Sequence, residues 1–275
     1  MTAAVLNQRA AGLPGGRYGL RGTIVMEWVK LRSLRSTWWM LAIAPAAMIG
    51  LAILVLHYYP GHWAQLSRAD RASFDPTNDG FTGLALAQLV MAVFGILAVT
   101  GEYSSGMIQS TLIAVPRRGL VLVAKAAVVG VTALVVGEAG AFAAFLAGQS
   151  VLVSPAPHAT LGQPGVLRAV LLAGAYLALI ALIGLGIGAI VRRSAVAIAV
   201  IAGLIFALPP IMQAFSASVQ HATGRFLPEI IAENSLTAVR HYPFALSPWA
   251  SLAMLCLYAV ALLGAGGWLL SRRDA

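Results

Sequence analysis

"AVLLAGAYLALIALIGLGIGAIVRRSAVAIAVIAGLIFALPP", residues Ala169 to Pro210, sets two long apolar runs on either side of Arg192, Arg193 and Ser194. A helix needs about 18 or more consecutive apolar residues to cross some 30 Å of hydrocarbon. A polar break of three residues between two such runs reads as a tight hairpin that sends the second helix back through the membrane. Gly184 and Gly188, four apart in the first run, form a small-residue ridge that lets another helix approach closely.

Further apolar runs flank this hairpin, so that the predicted spans are about 38–58, 83–100, 120–147, 169–191, 195–215 and 249–270. The runs are continuous, not alternating strands of about ten residues, which excludes a β-barrel. The expected fold is an all-α polytopic membrane protein with six transmembrane helices. Composition agrees: 275 residues are 60% hydrophobic and 10% charged, with a mean hydropathy of +0.86, where a soluble domain carries about 25% charged residues. The third run is long enough to require tilting or protrusion. It holds Glu138, whose charge is costly in lipid and marks a functional, helix-paired or protonated position.

Placing the N-terminus in the cytoplasm puts 13 of the 18 cations on the inside, from Arg9 to Arg35, at Arg117, Arg118 and Lys125, and at the two later Arg pairs. The positive-inside bias therefore predicts both termini in the cytoplasm. These cations sit at helix ends, where they suit anionic headgroups; they form no continuous patch for nucleic acid. The first 37 residues lack the apolar core of a cleaved signal peptide and read as retained. Residues 1–22 read as a flexible tail ahead of a single transmembrane domain, 23–275. The lone cysteine, Cys256, can form no intrachain disulfide and reads as a small buried hydrophobe.

Within residues 23–37, Ile24, Trp28, Leu31 and Leu34 share one helical side, with Glu27, Lys30 and Arg35 around the other. This predicts a cationic amphipathic helix in the headgroup plane, the alternative being a simple extension of the first span. Pro209 and Pro210 are expected to kink or end the fifth span. Residues 221–247 read as short external helices.

Catalytic machinery is not legible. There is no glycine-rich phosphate loop followed by Lys and Ser or Thr, and no nucleophile elbow. His57 and His62 lack a third ligand nearby, so no metal site is expected. Glu229, Glu233 and His241 do not make a complete acid–base set.

The most distinctive polar stretch is "GEYSSGMIQSTLIAVPRRG", Gly101 to Gly119. With Ser104 or Ser105 as N-cap, Met107 to Ile113 can form two helical turns, presenting Met107, Ile108, Thr111 and Leu112 as a compact knob. Pro116 stops the helix, and Arg117 and Arg118 return the chain to the headgroups. This is a docking element.

The stretches "EWVKLRSLRSTWW", "GEYSSGMIQSTLIAVPRRGLVLVAK" and "LLSRRDA" resemble the type-two ABC (ATP-binding cassette) exporter permeases. Glu102, Tyr103, Gly106, Thr111, Leu112, Pro116, Arg118 and Lys125 match that family's pattern. The resemblance implies that residues 102–118 hold a coupling helix seated on a separate ABC ATPase subunit. Glu102, Tyr103, Ser104, Ser105, Gly106, Met107, Ile108, Thr111, Leu112, Pro116 and Arg118 would then transmit nucleotide-driven motion. An interfacial helix carrying Trp28, Lys30, Arg32 and Arg35 would lie beside the ATPase. The chain would bind no cofactor, since ATP and magnesium belong to the partner, and would pair with an identical or sister permease.

The implied role is export of an amphipathic or lipid-like compound across the plasma membrane. The preference for arginine over lysine points to a bacterial source. The competing reading is a proton-coupled secondary transporter relaying through Glu138.

Overall fold

The computed structural model describes residues 19–236 and 246–272. Most of the expected tail, His241 with the rest of 237–245, and Arg273 lie outside the described residues. All regular structure among the described residues is helical, and six helices are long and apolar enough to cross a membrane.

Helix α1 (Leu20–Ser33) precedes the first span, α2 (Arg35–His62). The short helices α3 (Arg68–Ser73) and α4 (Pro76–Asp79) lead to the second span, α5 (Leu84–Ser104). Helix α6 (Met107–Ala114) joins α5 to the third span, α7 (Arg118–Val151). The hairpin consists of α8 (Val166–Val191) and α9 (Ser194–Ala202). Through a π-helical turn at Gly203–Ala207, α9 continues into α10 (Leu208–Gln213). Last come α11 (Ala217–Thr223), α12 (Pro228–Leu236) and the sixth span, α13 (Pro248–Arg272).

Several apolar runs continue as helix beyond their hydrophobic limits. Helix α7 has 34 residues, about 51 Å at ~1.5 Å per residue, and so outruns the hydrocarbon. The polar segment between the first two spans folds locally because it carries caps: the Ser67 hydroxyl accepts the Asp70 amide at 3.1 Å, and Asp75 accepts the Thr77 amide at 2.9 Å. Phe74 then packs on Tyr59, ring centroids 4.3 Å apart.

Pro209 and Pro210 do not end the fifth span. They occupy the first turn after the π-helical segment, where a proline's missing amide costs least. The span therefore continues to Gln213. Cys256 is exposed, not buried, on the outer face of α13.

Helix α8 is the axis of the bundle. In its most apolar stretch 78% of residues are buried, against 17% in the fifth and sixth spans. It packs against α5, α7 and α13. Lipid tails are as apolar as leucine, so association in a membrane depends on backbones coming close enough for dense van der Waals contact. The expected Gly184–Gly188 ridge does this against α5. A Cβ on Gly184 would overlap the Ala92 carbonyl oxygen, and one on Gly188 would sit 2.8 Å from Val99 Cγ1. From the other side, a Cβ on Gly95 of α5 would overlap the Ala181 carbonyl oxygen of α8.

Six antiparallel spans bring α1 and the end of α13 to one end of the bundle. There Arg118 Nη1 donates to the Leu270 carbonyl at 2.9 Å, and Arg192 Nη2 to that of Leu269 at 3.3 Å. Arg192 itself turns the hairpin at φ 62°, with its amide on the Gly188 carbonyl at 2.8 Å.

Replacing Gly184 by Leu is expected to force α5 and α8 apart and lower the melting temperature in detergent, by about 1–3 kcal/mol of overpacking or more. Gly203→Ala, where a Cβ meets nothing within 4 Å, serves as the control and should melt like wild type.

Candidate functional site

Helix α5 is closed by its own serines. The Ser104 and Ser105 hydroxyls donate to the Gly101 carbonyl at 3.1 and 2.8 Å. Neither serine caps α6, because the N-cap position belongs to Gly106, which adopts a left-handed φ of 71°. Glycine takes that conformation without the steric cost a Cβ imposes. The turn reverses the chain so that α6 folds back beside the end of α5.

This fold-back brings together charges from three helices. Lys30 of α1 donates to Glu27 Oε1 at 3.1 Å, to Glu102 Oε1 at 3.0 Å and to Thr111 Oγ1 at 2.8 Å. Lys125 of α7 donates to the same Glu102 Oε1 at 2.8 Å and to Glu27 Oε2. The Thr111 hydroxyl lies 3.3 Å from Glu102 Oε2. Two lysines and two glutamates thus form a neutral cluster joining α1, α5 and α7, with Thr111 adding α6. Glu27, Lys125 and Glu102 are only 3%, 4% and 5% exposed. Charges so deeply removed from water persist only when paired.

The cluster turns part of the charged side of α1 toward the bundle. Its buried stripe is Thr23, Glu27 and Leu31, while Val25, Trp28, Val29 and Leu34 are exposed. Glu27 and Lys30 were expected together on the charged side of this helix. They turn inward because Lys125, inside the bundle, needs carboxylates that α5 alone does not supply. Arg32 and Arg35 remain exposed.

The expected knob also divides. Ile108 and Thr111 face the bundle, Leu112 is half-buried, and Met107 is exposed. Ile113, outside the expected set, is 81% exposed. Pro116 is exposed beyond the end of α6, and Arg118 is tied to Leu270 as described above. Tyr103 lies under the Arg192 guanidinium, 5.1 Å from ring centroid to Cζ, and Ser194 donates to Thr100 Oγ1 at 2.8 Å. The hairpin between α8 and α9 is thereby fastened to the end of α5.

A cavity of about 260 Å³ opens beside the cluster, between α1, α2, α5 and α7. Lys30, Glu102 and Lys125 line its polar side, and Phe94, Leu97 and Val128 its apolar side. Glu138 lies elsewhere, some 13 residues farther along α7. Its carboxyl occupies the space that a Cβ on Gly174 of α8 would fill, and its Oε2 is buried without a hydrogen-bond partner.

A family model described as ABC-2 family transporter protein matches residues 23–218, from α1 through the fifth span. The chain belongs to this family. No curated protein is a significant match to it. As an ABC-2 permease domain it is a transport subunit and a multi-pass membrane protein, of a kind that generally works with an ABC ATPase subunit.

The permease's matched region contains the whole charge cluster. Of its four charged members, Glu27 was read only as part of the charged side of α1, and Lys125 only as an inside cation and a match to the family pattern. A usable signal was present: Lys30 and Lys125 are the only lysines among 18 cations, and one of them lies within an apolar run.

Replacing Glu102 by Ala leaves two ammonium groups sharing one carboxylate. Breaking a buried pair in this way is expected to cost about 3–5 kcal/mol, read as a lower unfolding midpoint in detergent. The double variant Glu102→Ala/Lys125→Ala should lose less than the sum of the two single variants, because the charges are coupled.

Proposed function

We propose that this ABC-2 permease exports an amphipathic or lipid-like compound across a bacterial plasma membrane, using ATP hydrolysed on a separate ATPase subunit that docks on α6. The observation that carries the docking surface is Ile113, 81% exposed at the polar end of the bundle. It sits on the same short helix as exposed Met107, with exposed Arg117 nearby. Apolar side chains displayed among polar and basic ones mark a protein contact. The opposite edge of α6, through Thr111, is fixed to Lys30 of α1 and Glu102 of α5, so force applied to the exposed edge reaches the spans without slack.

In this reading the α6 end faces the cytoplasm, as the distribution of cations also favours. α1 lies at the headgroups beside the ATPase. ATP and magnesium are held by the ATPase, and the chain binds no nucleotide or metal of its own. Two copies, or this chain and a sister, surround the path, and closure of two ATPases would drive a rigid-body shift of packed helices. Predominantly apolar spans suit an amphipathic cargo better than a small ion. The short helices after the fifth span form the outer gate.

Ile113→Asp is expected to abolish co-purification with the cognate ABC ATPase and to reduce ATP-driven transport in proteoliposomes at least about tenfold, with membrane insertion unchanged; a tenfold loss corresponds to ~1.4 kcal/mol. Gly106→Val and Glu102→Lys are expected to uncouple ATP turnover from transport. Nucleotide binding by the isolated permease would contradict the proposal. Glu138→Gln separates it from a proton-coupled carrier, in which that variant alone would stop transport.

A further inference from the structure

A second recess, of about 240 Å³, lies beside α1 next to the charge cluster, with Leu31 and Thr37 lining both cavities. Its walls come from Trp28 and Leu31 of α1, Trp38 and Leu41 of α2, and Val131 and Val135 of α7. Val131 and Val135 are each 62% exposed on a spanning helix, so the recess opens directly onto the lipid-facing surface. Arg32 lines it as well. No acidic side chain does so among the described residues.

Apart from the hydroxyls of Thr37 and Thr132, the polar side chains at the recess are donors. The Trp38 indole N–H is occupied, donating to the Arg32 carbonyl at 3.0 Å. That bond fixes the elbow between α1 and α2 and holds the recess open. Arg32 and the neighbouring Arg35 are both exposed, and among the described residues no carboxylate pairs with either guanidinium. Tryptophan and arginine beside an apolar wall are the residues that sit at headgroup depth and retain an acyl chain below.

We propose that this recess is a binding site for an anionic phospholipid of the surrounding bilayer. One acyl chain lies between Trp28, Trp38 and the α7 valines, and the phosphate pairs with the Arg32 guanidinium, with Arg35 adding charge. The occupant is lipid because the wall continues without a break into the spanning face of α7. It is anionic because every charge at the mouth is positive. Since α1 carries Glu27 and Lys30 on the adjoining side, a lipid held here braces the helix that supplies half of the charge cluster. The inference needs only the six-span fold, and it stands or falls independently of cargo and ATPase.

The test is native mass spectrometry of the delipidated permease incubated with phosphatidylglycerol or phosphatidylcholine at equal concentration. Wild type is expected to retain phosphatidylglycerol preferentially. Arg32→Gln should reduce that preference about fivefold, the effect of about one basic residue at an anionic surface. Val135→Trp, which fills the recess from an already exposed position, should reduce retention of both lipids while the melting temperature stays near wild type.

Equal retention of the two lipids by wild type, or an unchanged preference in Arg32→Gln, would overturn the proposal. Unchanged retention in Val135→Trp, confirmed with Val131→Trp, would also overturn it. Disulfide-linked dimers of Val135→Cys in a Cys256→Ser background would place a second copy of the chain in the recess instead of lipid, and would refute it as well.

Discussion

Four charges buried where a membrane bundle meets its polar end constrain everything around them. Glu102 cannot be withdrawn from Lys30 and Lys125 without leaving two ammonium groups to share Glu27 in a medium that solvates them poorly. Glu27 is bound by the same condition through both of its oxygens. The helices that supply these residues must therefore move together or not at all. Thr111 extends the condition to α6, which is too short to be stable by itself and too exposed to be held by burial alone. A buried pair is weak support for net stability, because its desolvation offsets much of its attraction. What it does provide here is registry: the shared carboxylates tie α1, α5 and α7 to one another, and Thr111 ties α6 to them.

The remainder of the bundle is held by a different physical device. Around α8, glycines let backbones meet closely, and the contact between α5 and α8 leaves no room for a side chain at Gly95 or Gly184. The fifth span has little of this; on the sixth, a Cβ on Gly266 would sit 2.8 Å from Ala189 Cβ of α8, yet both spans are mostly unburied. The bundle is thus divided into a close-packed centre, a charged clamp at one end and two loosely enclosed spans. On the proposed function, the clamp receives the force and the close-packed centre transmits it. The loosely enclosed spans are the ones free to change neighbours.

Much of this was legible in the sequence because continuous hydropathy and helix length are enough to identify a span. The Ala169–Pro210 hairpin and its small-residue ridge could be read directly. The orientation of α1 could not, because inside-out patterning assumes water on the outside. At a membrane surface the apolar side of a helix can face lipid, and its charged side can face protein. Trp28 and Glu27 then exchange the places that a soluble amphipathic helix would give them. Ser105 was misread for a more local reason: a serine caps only from the N-cap position, and the turn gives that position to a left-handed glycine. Pro209 and Pro210 depended on a π-helical turn that no side-chain pattern announces.

Lysine at the two cationic positions of the cluster follows from the shape of the site. The chain otherwise uses arginine for every cation, so the choice is not a matter of composition. The Lys30 ammonium has three hydrogens directed tetrahedrally, and it meets three acceptors on three different helices. A guanidinium presents its donors in one plane and suits a carboxylate approached edge-on; matched to Glu102, it is poorly directed toward Glu27 Oε1 and Thr111 Oγ1 at the same time. The same fork geometry suits arginine to the places where this chain does use it against backbone, as when Arg118 and Arg192 reach the carbonyls that end α13. The division of labour between the two cations therefore separates a compact buried junction from the outer fastenings of the helix ends.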